Sequence, residues 1–139
     1  NLESNYLNEI DKDCFQNLKN LKIININDNL RNSKMSIINF QAIPNLKSLS
    51  LKKTSIFLLK QIDLNKISEL DLSENSLNME IFNKIPFNSA TKLKLNNLKI
   101  NQSIDFLNRV FNFGLIELDL SENILNFDSF FYIILSTNL

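Results

Sequence analysis

Twelve residues, Ile67 to Asn78, read ISELDLSENSLN, and 48 positions later Leu115 to Asn126 read LIELDLSENILN. A stretch that returns nearly intact demands an equivalent environment for each copy, and equivalent environments are what a repeating array supplies. In each copy an apolar residue is followed by two residues, a Leu, one residue, a Leu, two residues, an Asn, one residue and a Leu. The first copy carries these as Ile67, Leu70, Leu72, Asn75 and Leu77, the second as Leu115, Leu118, Leu120, Asn123 and Leu125.

The same spacing extends well beyond the two copies. Its first apolar position falls at Leu21, Leu46, Ile67, Ala90 and Leu115, at intervals of 25, 21, 23 and 25 residues. Positions four and six are apolar every time: Ile24 and Ile26, Leu49 and Leu51, Leu70 and Leu72, Leu93 and Leu95, Leu118 and Leu120. Residues two apart lie on one face of a strand. A single strand cannot bury that face alone, so neighbouring units stack into a parallel sheet over one elongated core. Each buried Leu or Ile contributes about 1.5–3 kcal/mol, so a polar residue in this ladder is expected to be severe.

This pattern resembles the leucine-rich repeat family, whose consensus runs LxxLxLxxNxL. The resemblance implies an α/β fold: a right-handed, curved β-α solenoid with a concave parallel sheet and convex helices or 3₁₀ turns. It spans residues 1–139 as one domain, with a partial repeat over 1–20 and repeats starting at 21, 46, 67, 90 and 115. Leu2, Asn5, Leu7, Ile10, Phe15 and Leu18 fit the later part of a preceding repeat, and Leu139 falls where another would begin. An excised piece, or end repeats degenerated into caps, would both look like this. The ninth position, whose side chain bonds backbone groups of the turn after the strand, holds Asn5, Asn29, Thr54, Asn75, Leu98 and Asn123. Thr54 is expected to substitute in part, and Leu98 to break the ladder.

The segments returning between strands carry helix signals in places. Ser103 to Asn112 has Ser103 as N-cap, Asp105 in the first turn and Gly114, the only glycine, just past the end. Asp11–Asn20 and Asp128–Leu135 are expected to form shorter helices. The 21-residue repeat from Leu46 has room only for a turn or a 3₁₀ segment. Phe15, Phe40, Phe82, Phe106, Phe111 and Phe130 are expected to fill the space between the sheet and the convex layer.

Composition narrows the function. There is no histidine, so no imidazole base or ligand is available. One cysteine, Cys14, builds no thiolate zinc site, and one glycine builds no phosphate-cradling loop. The chain is therefore read as non-catalytic, with no cofactor. Fifteen basic residues balance fifteen acidic ones, which argues against nucleic acid and anionic membranes as partners. No apolar run reaches the roughly 20 residues of a membrane span. A lone cysteine forms no intrachain disulfide, which favours a reducing compartment or a chain lacking the disulfide-bonded caps of many extracellular members of the leucine-rich repeat family; secretion would require a leader removed before Asn1. Abundant Asn, Ile, Lys and Phe beside scarce Gly, Ala and Pro fit an AT-biased genome, such as many parasites carry, which would make a host protein a conceivable partner.

Positions three, five, seven and eight are expected to face the concave side. Acidic strands (Glu69 and Asp71; Glu117 and Asp119) flank a basic one (Lys92 and Lys94). Such alternation reads equally as a self-neutralising sheet face, with Lys94 bridging Asp71 and Asp119, or as a recognition surface. The candidate protein-binding residues are Ile23, Asn25, Asn27, Lys47, Ser50, Lys52, Asp71, Ser73, Lys94, Asn96, Asp119 and Ser121. Ile23, Asn25, Asn27, Lys47 and Lys52 form the end expected to have the least charge compensation. The competing expectation is a scaffolding segment that stacks or self-associates through its open ends.

Overall fold

A computed structural model describes residues 1–7, 10–11, 13–29, 43–54, 64–77, 87, 89–100 and 114–125. Five three-residue strands follow one another in the chain: β1 (Ile23–Asn25), β2 (Ser48–Ser50), β3 (Glu69–Asp71), β4 (Lys92–Lys94) and β5 (Glu117–Asp119). They form one sheet in the order β1-β2-β3-β4-β5, with every neighbouring pair parallel. Each strand occupies positions three to five of its repeat. The register joins like position to like position, so Ile24, Leu49, Leu70, Leu93 and Leu118 stand in one row.

That row and the one at position six form the core. Ile26, Leu51, Leu72, Leu93 and Leu95 are fully buried, and Ile24, Leu49 and Leu70 nearly so. Leu118 and Leu120 are only half-buried and pack against the margin of the cluster. Beyond the strands the ladder continues through single backbone bonds. The amide at position six donates to the carbonyl at position five of the next repeat, as from Leu72 to Lys94 (3.0 Å) and from Leu95 to Asp119 (2.8 Å). Residues 2–4 extend the same scheme beyond β1, with Leu2 N–H donating to Asn25 O and Ser4 N–H to Asn27 O.

The chain leaves each strand through a left-handed residue at position eight. Asp28, Lys53, Glu74, Asn97 and Glu122 all have φ between 51° and 58°, and none is glycine. The amides of the first four donate to the position-seven carbonyl of the following repeat, at 2.9–3.0 Å. Those bonds hold a conformation that L-residues avoid. Gly114, just before β5, is also left-handed at φ 63° and is the residue type suited to it.

One segment between the strands differs from expectation. Asp11–Asn20 is no helix where it is described, but a run of turns closed by i→i+3 bonds: Cys14 to Asp11, Gln16 to Asp13 and Leu18 to Phe15. The Asp11 carboxylate accepts from Asp13 N–H (2.8 Å), and this local competition favours a turn over helical bonding. Among the described residues the only helical turn is the 3₁₀ segment Leu64–Lys66, in the short repeat that starts at Leu46. The helices expected at Ser103–Asn112 and Asp128–Leu135, and Phe40, Phe82, Phe106, Phe111 and Phe130, lie outside the described residues. Phe15 is half-buried against the core.

Candidate functional site

Because strand side chains alternate, the residues flanking each buried position four emerge together on the face away from the core. Positions three and five of β1 to β5 thus form two rows across the sheet: Ile23, Ser48, Glu69, Lys92 and Glu117, then Asn25, Ser50, Asp71, Lys94 and Asp119. The middle of this face holds a shallow depression of about 220 Å³. Ser48 and Ser50, Glu69 and Asp71, Lys92 and Lys94, and Glu117 line it, with Leu49 and Leu70 between them.

Position five has a second task in some repeats. The side chains of Asn1, Asn25, Asp71 and Asp119 each accept a hydrogen bond from the amide two residues on, at 2.9–3.0 Å. The repeats that carry this short cap are those with Asn at position nine; the other two carry Ser50 with Thr54 and Lys94 with Leu98. Three of those asparagines stitch adjacent repeats together. Asn29 donates to Leu2, Ile26 and Asn27 carbonyls and accepts from Asn5 and Leu7 amides. Asn123 does the same for Leu95, Leu120 and Ser121 carbonyls and for Leu98 and Ile100 amides. Asn75 donates to Leu51, Leu72 and Ser73 and accepts from Thr54 N–H. Thr54 turns its hydroxyl only to its own turn, donating to Leu51 O (2.7 Å), while Leu98 is buried as an apolar residue.

Position seven departs from the expected face. Asn27 and Ser73 are 8% and 1% exposed, so neither is offered to a partner. Asn27 is buried because its Oδ1 accepts from both Lys52 N–H and Ser50 Oγ–H, each at 2.8 Å, capping a repeat that has no cap of its own at Ser50. Lys52 and Asn96 are half-buried and Ser121 is exposed. Ile23 is 66% exposed, Lys47 is exposed, and Asn25 is tied through Nδ2 to the Glu3 carboxylate (3.1 Å). The end expected to be least compensated is therefore substantially tied down. Lys52 meets Glu74 at 2.9 Å, and Lys53 links Asp28 (3.2 Å) to Glu74 (4.0 Å) along the rim. The hydrogen bond to Glu74 raises the Lys52 pKa above the ordinary lysine value.

The charge pairing also differs from the expected bridge. Lys94 Nζ lies 3.6 Å from Glu117, one row away, and Lys92 lies 3.3 Å from Glu69. Both ammonium groups thus serve position-three carboxylates, while Asp71 and Asp119 each cap their own turn through Oδ1. The Ser48 hydroxyl, and then Lys92, hold Glu69 below the ordinary carboxylate range. Asp119 is lowered chiefly by Ser121, whose hydroxyl donates to it at 2.6 Å. Ser48, Glu69, Lys92 and Glu117 stand outside the candidate set, although the position-three register alone identifies them.

Cys14 is free and exposed, its thiol pushed up by partial burial and by Asp11. Among the described residues no group of three His, Cys, Asp or Glu is placed to hold a metal ion. No helix of the described residues is long and apolar enough to cross a membrane.

No curated protein and no solved structure matches the chain. A family model described as Leucine rich repeat matches residues 1–56. β1 and β2 lie inside those residues, and β3 to β5 repeat their register, so the leucine-rich repeat pattern of the matched stretch continues through the described sheet.

Proposed function

We propose that the sheet face formed by positions three and five is where this chain takes a protein partner. Leucine-rich repeat domains generally mediate protein–protein interaction. The observation that carries the assignment to this face is the depression across β2 to β5, lined by charged side chains of both signs beside the two serines of β2. The face uses Ile23, Asn25, Ser50, Asp71, Lys94 and Asp119, together with the position-three residues Ser48, Glu69, Lys92 and Glu117; Lys47, at position two, is exposed next to Ser48 in the chain. The chain acts by binding and not by catalysis.

Immobilised parent chain, Ser48→Trp and Gln16→Trp test this reading by capture from native lysate and from a host lysate, the latter because the composition fits a parasite genome. Ser48→Trp fills the depression, while Gln16 is exposed on the turn segment. A partner held by the parent and by Gln16→Trp, but lost by a folded Ser48→Trp, supports the face. Retention by both variants overturns it.

The second reading is self-association through the sheet end at β5. It rests on Ile116 and Ile124, which are 83% and 71% exposed beside the half-buried Leu118 and Leu120. Light scattering on the eluting chain distinguishes the two: a monomer at all concentrations removes this one.

A further inference from the structure

Hydroxyl and carboxylate groups at the centre of the depression do not satisfy one another. Ser50 Oγ stands 2.8 Å from Asn27 Oδ1 and 3.5 Å from Asp71 Oδ2. A serine hydroxyl has one proton to donate, and Asn27 Oδ1 is an acceptor at the better distance. The proton goes to Asn27, so Ser50 presents lone pairs to Asp71. Asp71 Oδ1 is occupied by Ser73 N–H at 3.0 Å. Among the described residues its Oδ2 has no donor closer than the Ser50 hydroxyl at 3.5 Å, although two ammonium groups line the same depression; Lys92 and Lys94 are paired with Glu69 and Glu117.

Two acceptors 3.5 Å apart, one of them a carboxylate, match a cation rich in N–H donors. The volume selects the scale. About 220 Å³ falls below the roughly 300–1,000 Å³ of pockets for whole small ligands, and suits one long side chain. The lining charge has the right sign, with Glu69, Asp71 and Glu117 against Lys92 and Lys94. We propose that the depression receives a lysine or arginine side chain of the protein partner, held by Asp71 Oδ2 and Ser50 Oγ. This rests on the sheet-face reading above and specifies the anchor within it.

The probe is N-acetyl-lysine N-methylamide, titrated into the isotope-labelled chain at low salt and followed by amide chemical shifts. The expected result is a saturable response at Ser50, Asp71 and Ser73, with the uncharged norleucine analogue producing none. Asp71→Asn should abolish the response. Its Oδ1 still caps Ser73, while the new amide donates to Ser50 Oγ and consumes the second acceptor. Ser50→Ala removes that acceptor without touching a backbone cap, and should weaken the response severalfold. An equal response to norleucine, or one unchanged in Asp71→Asn, overturns the anchor. Capture from lysate separates this failure from that of the broader reading. If Ser48→Trp loses the partner and a folded Asp71→Asn keeps it in full, the face stands and the anchor falls. If both variants keep it, both fall.

Discussion

Ile67–Asn78 and Leu115–Asn126 are almost the same peptide in two different surroundings. Both form a three-residue strand, a carboxylate cap on the amide two residues on, a left-handed residue at position eight, and an Asn donating to three carbonyls. The local shape therefore belongs to the peptide. Burial does not: Leu72, Ser73 and Asn75 are buried in the first copy, while Leu120 and Asn123 are half-buried and Ser121 exposed in the second. Even the serine hydroxyl differs. Ser121 Oγ donates to Asp119, whereas Ser73 Oγ is buried with no hydrogen-bond partner. A repeat dictates its own turn, and its neighbours decide how much each group in it is worth.

The sharpest way to break this comparison is one charge at the same place in both copies. Leu72→Asp should abolish cooperative folding, because the carboxylate enters a site with no exposure. Leu120→Asp can reach solvent from a half-buried site, and should leave a cooperative transition weakened by about 1–3 kcal/mol. Denaturant melts giving equal losses would remove burial as the distinguishing variable.

The two asparagines come next. Asn75→Ala strands buried carbonyls of two repeats and should cost about 2–3 kcal/mol, against about 1 kcal/mol for Asn123→Ala at the more exposed copy. Chemical denaturation of the pair measures the difference, and a reversed order would contradict it.

A smaller effect tests the charge pairing. Lys94→Glu should cost under about 1 kcal/mol, since the pair is half exposed, and the loss should shrink with added salt. Glu117→Lys should restore more of it than Asp119→Lys, because Glu117 holds the ammonium and Asp119 holds Ser121. A double-mutant cycle with the opposite ranking would return the bridge to Asp119.

The smallest expectation is in acid. Glu69 in the first copy and Asp119 in the second have lowered folded-state pKa values. A lowered carboxylate stabilises the fold above its unfolded pKa, and that contribution is lost as pH falls through the folded one. Stability should thus decline below the ordinary carboxylate range, more gently in Glu69→Gln and in Asp119→Asn. Melts in which neither variant flattens the acid limb would exclude both groups.

The alternation at positions four and six made the sheet legible in the sequence, because a period of two joined to a repeat of 21–25 residues leaves one register that puts the apolar residues of both positions on a single face. The turn at Asp11–Asn20 was not, because its apolar spacing suits a helix while Asp11 settles the matter by a local side-chain bond. Positions three and five were legible as a face for the same reason as the core. Position seven was not: whether Asn27 caps a neighbour or faces solvent depends on Ser50 and Lys52, which arrive from another repeat. The partner of Lys94 was equally hidden, since a long side chain chooses between carboxylates only once shorter ones have taken their own backbone amides.

The left-handed residues at position eight imply an unused reserve of thermal tolerance. Holding an L-residue there costs roughly 1–2 kcal/mol, whereas glycine costs about 0.5–1 kcal/mol in unfolded-chain freedom. Glycine is thus cheaper by up to about 1.5 kcal/mol per turn, yet the chain places it at none of the five sites. At Asp28, Lys53 and Glu74 the side chains repay this by linking adjacent turns into a charged seam. Glu122, on the last of the described turns, is the place to draw on the reserve: Glu122→Gly would harden the chain against heat without changing either row of the recognition face.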